Sequence, residues 1–130
     1  MITTGELYSY FDRKIPRVLS CDWDNDGLMV CADSTREVKK AIFALDVTDA
    51  VADYAIAGGY DLIISHHPLI FSPLKAINTE NPVCARALRL IAAGISVFSF
   101  HTRLDALDGG VNDILAASLG LENTRPFGPA

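Results

Sequence analysis

The sequence predicts an α/β fold in which a mostly parallel sheet is flanked by helices in βαβ units. Two observations carry this prediction. Short apolar runs typical of buried strands recur along the chain, and they alternate with segments whose apolar residues have helical spacing. Glycine or proline punctuates most of the transitions. Strands that alternate with helices at these spacings form parallel sheets. The length of 130 residues predicts one α/β domain over residues 1–130.

The first elements follow from local signals. Thr3 and Glu6 form a capping box at the start of a helix. Apolar residues keep helical spacing until Pro16, which ends the helix. Residues 20–27 are dense in turn formers and predict a loop. A short strand is expected at residues 28–31.

The pattern becomes regular after this region. Strands are predicted at 41–45, 62–65 and 95–100. Helices are predicted from the Thr48 cap to Ile56, from Pro82 to Ala93, and from Gly110 to Leu119. Gly58 and Gly59, Gly94 and Gly120 follow the three helices as stop signals. Residues 125–130 read as the beginning of a further segment.

Composition limits the function classes. The net charge of −5 argues against nucleic acid or an anionic membrane as the main partner, because both require a basic surface. The three cysteines, Cys21, Cys31 and Cys84, show neither a disulfide framework nor a zinc spacing, and are expected as free thiols. We expect no signal peptide, because the first residues show no basic segment followed by an apolar one, and no apolar stretch is long enough to span a membrane. We therefore expect a cytoplasmic protein.

All three histidines follow predicted strands. His66 and His67 come after the strand at 62–65, and His101 after the strand at 95–100. Asp46 follows the strand before them. Ligands of open parallel sheets lie beyond the carboxyl ends of the strands, where these side chains are expected to meet. The sequence therefore predicts a divalent-metal site, although a histidine in such a place can also be a hydrogen-bonded core residue and Asp46 can simply cap the next turn.

Adjacent histidines suggest two ions, because neighbouring side chains on a regular strand point to opposite faces. Pro68 forces the chain out of the sheet and lets both imidazoles serve one site. A carboxylate can bridge two metals, so we assign His66 and His67 as terminal ligands and Asp105 as the bridge. His101 is either a further ligand or a residue that orients one.

At these residues the chain resembles a known family. Four motifs carry the resemblance: Trp23-Asp24-Asn25-Asp26-Gly27-Leu28, Ala44-Leu45-Asp46-Val47-Thr48, Ile64-Ser65-His66-His67-Pro68-Leu69, and His101-Thr102-Arg103-Leu104-Asp105 running into Gly109-Gly110-Val111-Asn112-Asp113. They resemble the NIF-three-like family of dinuclear-metal proteins, also called GTP cyclohydrolase I type 2 homologues. The resemblance implies that His66, His67 and Asp105 are metal ligands and that His101 lies beside them.

The resemblance also implies a longer protein. Family members have two similar α/β halves that assemble into toroidal hexamers, and their second half supplies a further histidine and a glutamate to the metals. This chain resembles the N-terminal half, and we expect only partial metal occupancy. An isolated half would expose an apolar face, so at least a homodimer is expected.

Two functions remain open, together with a purely structural role for the histidines. One is a dinuclear-metal hydrolase acting on a nucleotide, a pterin-like ring or a phosphoester, in which Asp24, Asn25 and Asn112 orient water or substrate. The other is a non-catalytic metal-binding or regulatory scaffold, because the sequence shows no nucleophile with a paired base and no phosphate-binding glycine loop. Imidazole with carboxylate suits zinc, iron, manganese or nickel.

Overall fold

The computed structural model describes residues 1–125. Its helices are α1 (Thr4–Lys14), α2 (Asp49–Ala57), α3 (Pro82–Ala92), α4 (Thr102–Ala106) and α5 (Val111–Ser118). Its strands are β1 (Gly27–Val30), β2 (Ala41–Ala44), β3 (Leu62–Ser65) and β4 (Ser96–Ser99), and a short 3₁₀ helix covers Arg17–Leu19. The α/β class is confirmed. The interpretation of residues 125–130 falls, apart from Arg125, outside the described residues.

The four strands form one sheet in the order β1-β4-β3-β2. The three strands β2, β3 and β4 are parallel, and their ends are level because Ala44 pairs with Ser65 and Ser65 with Ser99. β1 runs antiparallel to β4, with Gly27 opposite Ser99. The prediction of a mostly parallel sheet is confirmed, and β1 is its exception. The chain before β1 consequently lies at the same edge as the residues that follow β3 and β4.

Local signals place the helices as expected. The capping box of α1 is present: Glu6 N–H donates to Thr3 Oγ1 at 3.3 Å, and Thr3 N–H donates to the Glu6 carboxylate at 2.9 Å. Thr48 Oγ1 accepts from the N–H of Val51 and caps α2. Such caps satisfy backbone donors that have no partner within the helix. The 3₁₀ helix and α4 were not predicted, because each is too short to show a periodic pattern.

The sheet is covered on both faces. On one face α2 and α3 pack over Ile63 and Val97 and contribute Ala52 and Leu90 to the core. On the other face α1 packs over Leu62, Phe98 and Phe100. Full burial of each large apolar side chain contributes about 1.5–3 kcal/mol, so the sheet is a firm support for residues at its edge.

One part of the second face is open. The edge strand β2 carries Phe43, whose relative exposure is 73%, and it is followed by Leu45, at 62%. Together with Phe11, Ile64 and Phe100 they line an apolar groove of about 530 Å³ that also reaches His66. We call these residues the β2 groove.

The cysteines and the helix lengths agree with what the sequence predicts. Cys21, Cys31 and Cys84 are free thiols, and Cys84 is buried. Among residues 1–125, no helix has both the length and the apolar character needed to cross a membrane.

Candidate metal centre

Three imidazoles meet at the carboxyl edge of the sheet. His66 and His67 follow β3, and His101 lies between β4 and α4. One ring nitrogen from each lies within 4.8 Å of those of the other two. The ring centroids are 5.1–5.6 Å apart, and all three side chains are partly buried. The structure thus brings together the histidines that the sequence placed at this edge.

The turn after β3 lets adjacent histidines share one site. The backbone N–H groups of His66 and His67 still donate to the carbonyls of Ala44 and Leu45, at 3.2 and 2.9 Å. The buried Ser65 hydroxyl donates to the His67 carbonyl at 2.9 Å and lies 2.8 Å from the Ser99 hydroxyl. These bonds curl the chain directly after the strand, so the two imidazoles lie side by side instead of on opposite faces.

Each imidazole has its Nδ1 atom occupied by an oxygen acceptor. His66 Nδ1 lies 3.0 Å from the Phe100 carbonyl, His67 Nδ1 2.8 Å from Asp46 Oδ1, and His101 Nδ1 3.0 Å from Asp24 Oδ1. A carbonyl or carboxylate only accepts, so Nδ1 carries the proton in each ring. A ring that is neutral in this tautomer has its free lone pair on Nε2. Metal-binding histidines commonly show this arrangement, in which one ring nitrogen donates a hydrogen bond and the other can coordinate an ion.

Asp105 lies beside this cluster on α4. Its Oδ1 is 3.5 Å from His66 Nε2, which is too long for a strong hydrogen bond but close enough for the two atoms to share an ion. The backbone N–H of Asp105 bonds the His101 carbonyl at 3.3 Å, so α4 ties the carboxylate to the third histidine. The Asp105 carboxylate therefore lies against His66, next to the group of three imidazoles.

Two predicted orienting residues make contacts with the protein backbone. Asn25 donates its side-chain amide to the Ile70 carbonyl and joins the loop before β1 to the loop after β3. Asn112 donates to the backbone carbonyl of Asp105 at 3.0 Å and joins α5 to α4. Both amides thus support the segments that carry the site.

The side chain of Asp24 is fully buried, and its carboxylate is a hydrogen-bond partner of His101. Its carboxylate accepts from Thr102 N–H at 3.1 Å, from Thr102 Oγ1 at 2.6 Å and from His101 Nδ1. Burial by itself raises the pKa of Asp24, but the hydrogen bonds from Thr102 and His101 outweigh burial and hold this pKa below its ordinary value. Asp46, in contrast, is half exposed while it orients His67.

A buried ion pair below the histidines was missed by sequence reasoning. Asp26 accepts from the backbone N–H of His101 at 3.2 Å and from Arg103 Nε at 3.0 Å. Arg103 is completely buried and also donates to Asp12 at 2.7 Å and to the Ile15 carbonyl at 3.0 Å. Burial lowers the pKa of Arg103, but Asp12 and Asp26 outweigh it and raise this pKa above its usual range. The only signal in the sequence was that both residues lie inside the quoted motifs.

The family is decided by a comparison over nearly the whole chain. Residues 2–130 match the model of Duf34/NIF3, NGG1p interacting factor 3. The chain belongs to the Duf34/NIF3 family.

Duf34/NIF3 relatives are similar in sequence and in structure. The chain is 42% identical over 124 residues to a Listeria monocytogenes protein and 35% identical over 129 residues to one from Halalkalibacterium halodurans, each named GTP cyclohydrolase 1 type 2 homolog. These matches cover 95% and 98% of the chain but only 33% and 34% of the relatives. The chain therefore spans about a third of the length of these relatives.

Two solved structures confirm the Duf34/NIF3 fold. A Bacillus cereus protein related to NIF3 superposes with a TM-score of 0.89 at 40% identity, covering 99% of this chain and 35% of the other. Reduced HcgD from Methanocaldococcus jannaschii superposes with a TM-score of 0.86 at 31% identity, covering 96% of this chain and 50% of the other.

The donor set of this Duf34/NIF3 chain fits a divalent metal ion. The three imidazoles offer borderline nitrogen donors, and Asp105 beside His66 adds a hard oxygen, a combination that suits first-row metals. The Nδ1 atom of each histidine contacts an oxygen acceptor, the kind of contact that normally sets the orientation of a metal-binding imidazole. A cleft of about 360 Å³ bounded by Asp46, His67 and Arg86 opens beside the cluster and leads to solvent.

Proposed function

We propose that this chain supplies the histidine part of a divalent-metal centre, and that the whole protein is a metal-dependent hydrolase. The observation that carries the proposal is that all three Nδ1 atoms lie within hydrogen-bond distance of oxygen acceptors while the three imidazoles converge, with one ring nitrogen of each within 4.8 Å of the others. Histidines that merely complete a sheet edge have no reason to share this tautomer and this convergence.

Two ions are proposed, with His66 and His67 as terminal ligands, Asp105 as the bridge and His101 as a further ligand. Zinc, iron, manganese and nickel all suit this donor set. Two complete coordination spheres need more than three imidazoles and one carboxylate. We propose that the missing ligands come from the part of a longer protein that lies outside this chain, which would act as the N-terminal half. The chain alone then holds metal with partial occupancy.

The proposed reaction is hydrolysis of a nucleotide, a pterin-like ring or a phosphoester, in keeping with the name that the bacterial relatives carry. A bound divalent ion would supply Lewis-acid polarisation of a substrate oxygen. Asp24 and Asp46 keep the imidazoles aimed, and the Asn25 and Asn112 amides hold the loops and helices that carry them. The cleft beside His67 gives substrate its approach.

Metal content tests the site. Protein purified without a chelator or histidine tag and equilibrated with Zn²⁺ should retain metal after dialysis, measured by inductively coupled plasma mass spectrometry. The double variant His66→Ala/His67→Ala should lose it, while the exposed control Glu122→Gln should bind as wild type does. Equal metal in wild type and double variant would contradict the proposed ligands.

Turnover separates hydrolase from scaffold. Metal-loaded chain, alone and with the remaining part of the longer protein added, is assayed against nucleotides, pterins and phosphoesters. Metal-dependent product release that the His67→Ala variant abolishes supports the hydrolase. Bound metal without turnover on any of these substrates, in either form, supports the alternative of a metal-binding or regulatory scaffold.

We also propose that the chain self-associates through the β2 groove. Within residues 1–125, β2 is an edge strand that pairs with another strand on one side only, and Phe43 and Leu45 make its surface apolar. A second copy can pair with this edge and cover both side chains. Light scattering should give at least twice the chain mass of 14.1 kDa, and Phe43→Lys/Leu45→Lys should give a monomer. A monodisperse wild-type monomer would contradict the proposal.

A further inference from the structure

Two exposed aromatic side chains stand beside the three histidines. Trp23 is 64% exposed and Phe71 is 49% exposed. Their ring centroids are 6.2 Å apart, and the His101 ring lies 6.2 Å from Trp23 and 6.5 Å from Phe71. The Phe71 and His101 rings are inclined by 64° and 76° to the indole, so neither is stacked parallel on it. Trp23 and Phe71 are called the aromatic wall below.

The chain on both sides of Trp23 is held by hydrogen bonds. On one side the Cys21 N–H donates to Thr102 Oγ1 at 3.0 Å, and on the other side the buried Asp24 carboxylate binds Thr102 and His101. Asn25 then ties the same loop to Ile70, next to Phe71. The chain is thus anchored on both sides of the exposed indole. Large aromatic side chains are normally mostly buried, so an indole held outward next to a candidate metal centre indicates a contact surface for a ligand.

We propose that the aromatic wall is a stacking subsite for a planar heteroaromatic ring whose oxygen or nitrogen substituent reaches the metal. This inference rests on the proposed function, because it names the substrate class of the same site. Stacking on an indole requires only a π-face, and therefore recognises a ring without reading its hydrogen-bonding edge. A purine or pterin-like ring has the size and flatness to lie on the wall while its substituent lies over His101.

Tryptophan fluorescence tests the proposal directly, because Trp23 is the only tryptophan of the chain. Guanosine 5′-monophosphate is the probe, and ribose 5-phosphate is the matched ligand without a base. The base should quench the emission saturably, both with Zn²⁺ and, more weakly, in metal-free protein, and ribose 5-phosphate should not. Quenching that is equal for the two ligands, or absent with Zn²⁺ bound, would overturn the proposal.

Variants locate the contact. Phe71→Leu keeps an apolar side chain but removes the ring, and should weaken binding of the guanosine probe about tenfold. Trp23→Leu, measured by calorimetry, should weaken it by about 10–100-fold. Phe43→Leu is the control, since Phe43 is an exposed phenylalanine on β2 and not part of the wall. An unchanged dissociation constant in both wall variants would overturn the proposal.

The outcomes also separate this inference from the proposed function. Metal binding without a response to the guanosine probe removes the stacking subsite and leaves the metal centre. Base-specific quenching in a protein that fails to bind Zn²⁺ even when equilibrated with it supports the subsite and removes the proposed metal centre. A blue-shifted emission that the probe does not change would show that the indole is shielded from solvent and out of reach of the probe, and this too overturns the stacking subsite.

Discussion

Replacing Arg103 by methionine will lower the free energy of unfolding by about 3–5 kcal/mol, as expected when one partner of a buried ion pair is removed. Arg103 is completely buried and binds Asp26, Asp12 and the Ile15 carbonyl. Its loss leaves the buried Asp26 carboxylate without its countercharge. Urea unfolding followed by circular dichroism measures the change. A loss below about 1 kcal/mol, the scale of an exposed pair, would show that the pair contributes little.

A second variant separates charge from packing. Asp26→Asn/Arg103→Met removes the uncompensated carboxylate while its amide oxygen can still accept from the N–H of His101. We expect the double variant to be more stable than Arg103→Met alone. If the double variant is the less stable of the two, the cost comes from the lost volume and hydrogen bonds of the guanidinium and not from the isolated charge.

Removing the carboxylate partner of His101 should have the second large effect. Asp24→Asn is expected to lower the Zn²⁺ affinity of the chain by about 10–100-fold, the usual effect of losing a carboxylate that orients a metal-binding histidine. If the NH₂ group of the introduced asparagine faces Thr102, it cannot accept the two hydrogen bonds that Thr102 donates to Asp24. Competition with a chromogenic chelator measures the affinity. Wild-type affinity in Asp24→Asn would contradict a role for His101 at the metal.

Asp46→Asn is the matched comparison. Asp46 also accepts from an imidazole Nδ1, but it is half exposed, so solvent can replace part of its effect. Substitution of Asp46 should lower the Zn²⁺ affinity less than substitution of Asp24 does.

The lowered pKa of Asp24 also predicts a pH effect on folding. Its stabilisation is present above the ordinary carboxyl pKa and is lost as pH falls through the lowered value, and the Asn variant should lack this acid-dependent loss.

The sequence predicted the parts of the fold that depend on local patterns. The strands at β2, β3 and β4 were placed within a residue of their observed ends, because each is an apolar run bounded by polar or turn-forming residues. Parallel strands end at one edge, so the convergence of His66, His67 and His101 followed from the same patterns. The long-range pairing of Asp26 with Arg103 did not, because no periodicity connects residues so far apart.

The antiparallel direction of β1 explains why the contacts of Asp24 and Trp23 with His101 could not be predicted from the sequence. A local pattern cannot say whether an edge strand is parallel or antiparallel. The antiparallel pairing of Gly27 with Ser99 carries the preceding loop to the histidine edge. Because of this pairing, Asp24 can accept a hydrogen bond from His101 and Trp23 lies beside the His101 ring.

The same pairing has a consequence for folding kinetics. The bond between Asp24 and His101 joins positions separated by 77 residues, and the bond between His66 and the Phe100 carbonyl spans 34. Such contacts close only after large loops of chain have been ordered, and they are among the slow events of folding. During refolding, helices should therefore appear before the chain can capture an ion. The rate of metal uptake would then report the final step of folding, and a divalent ion would stabilise only molecules that have completed this step.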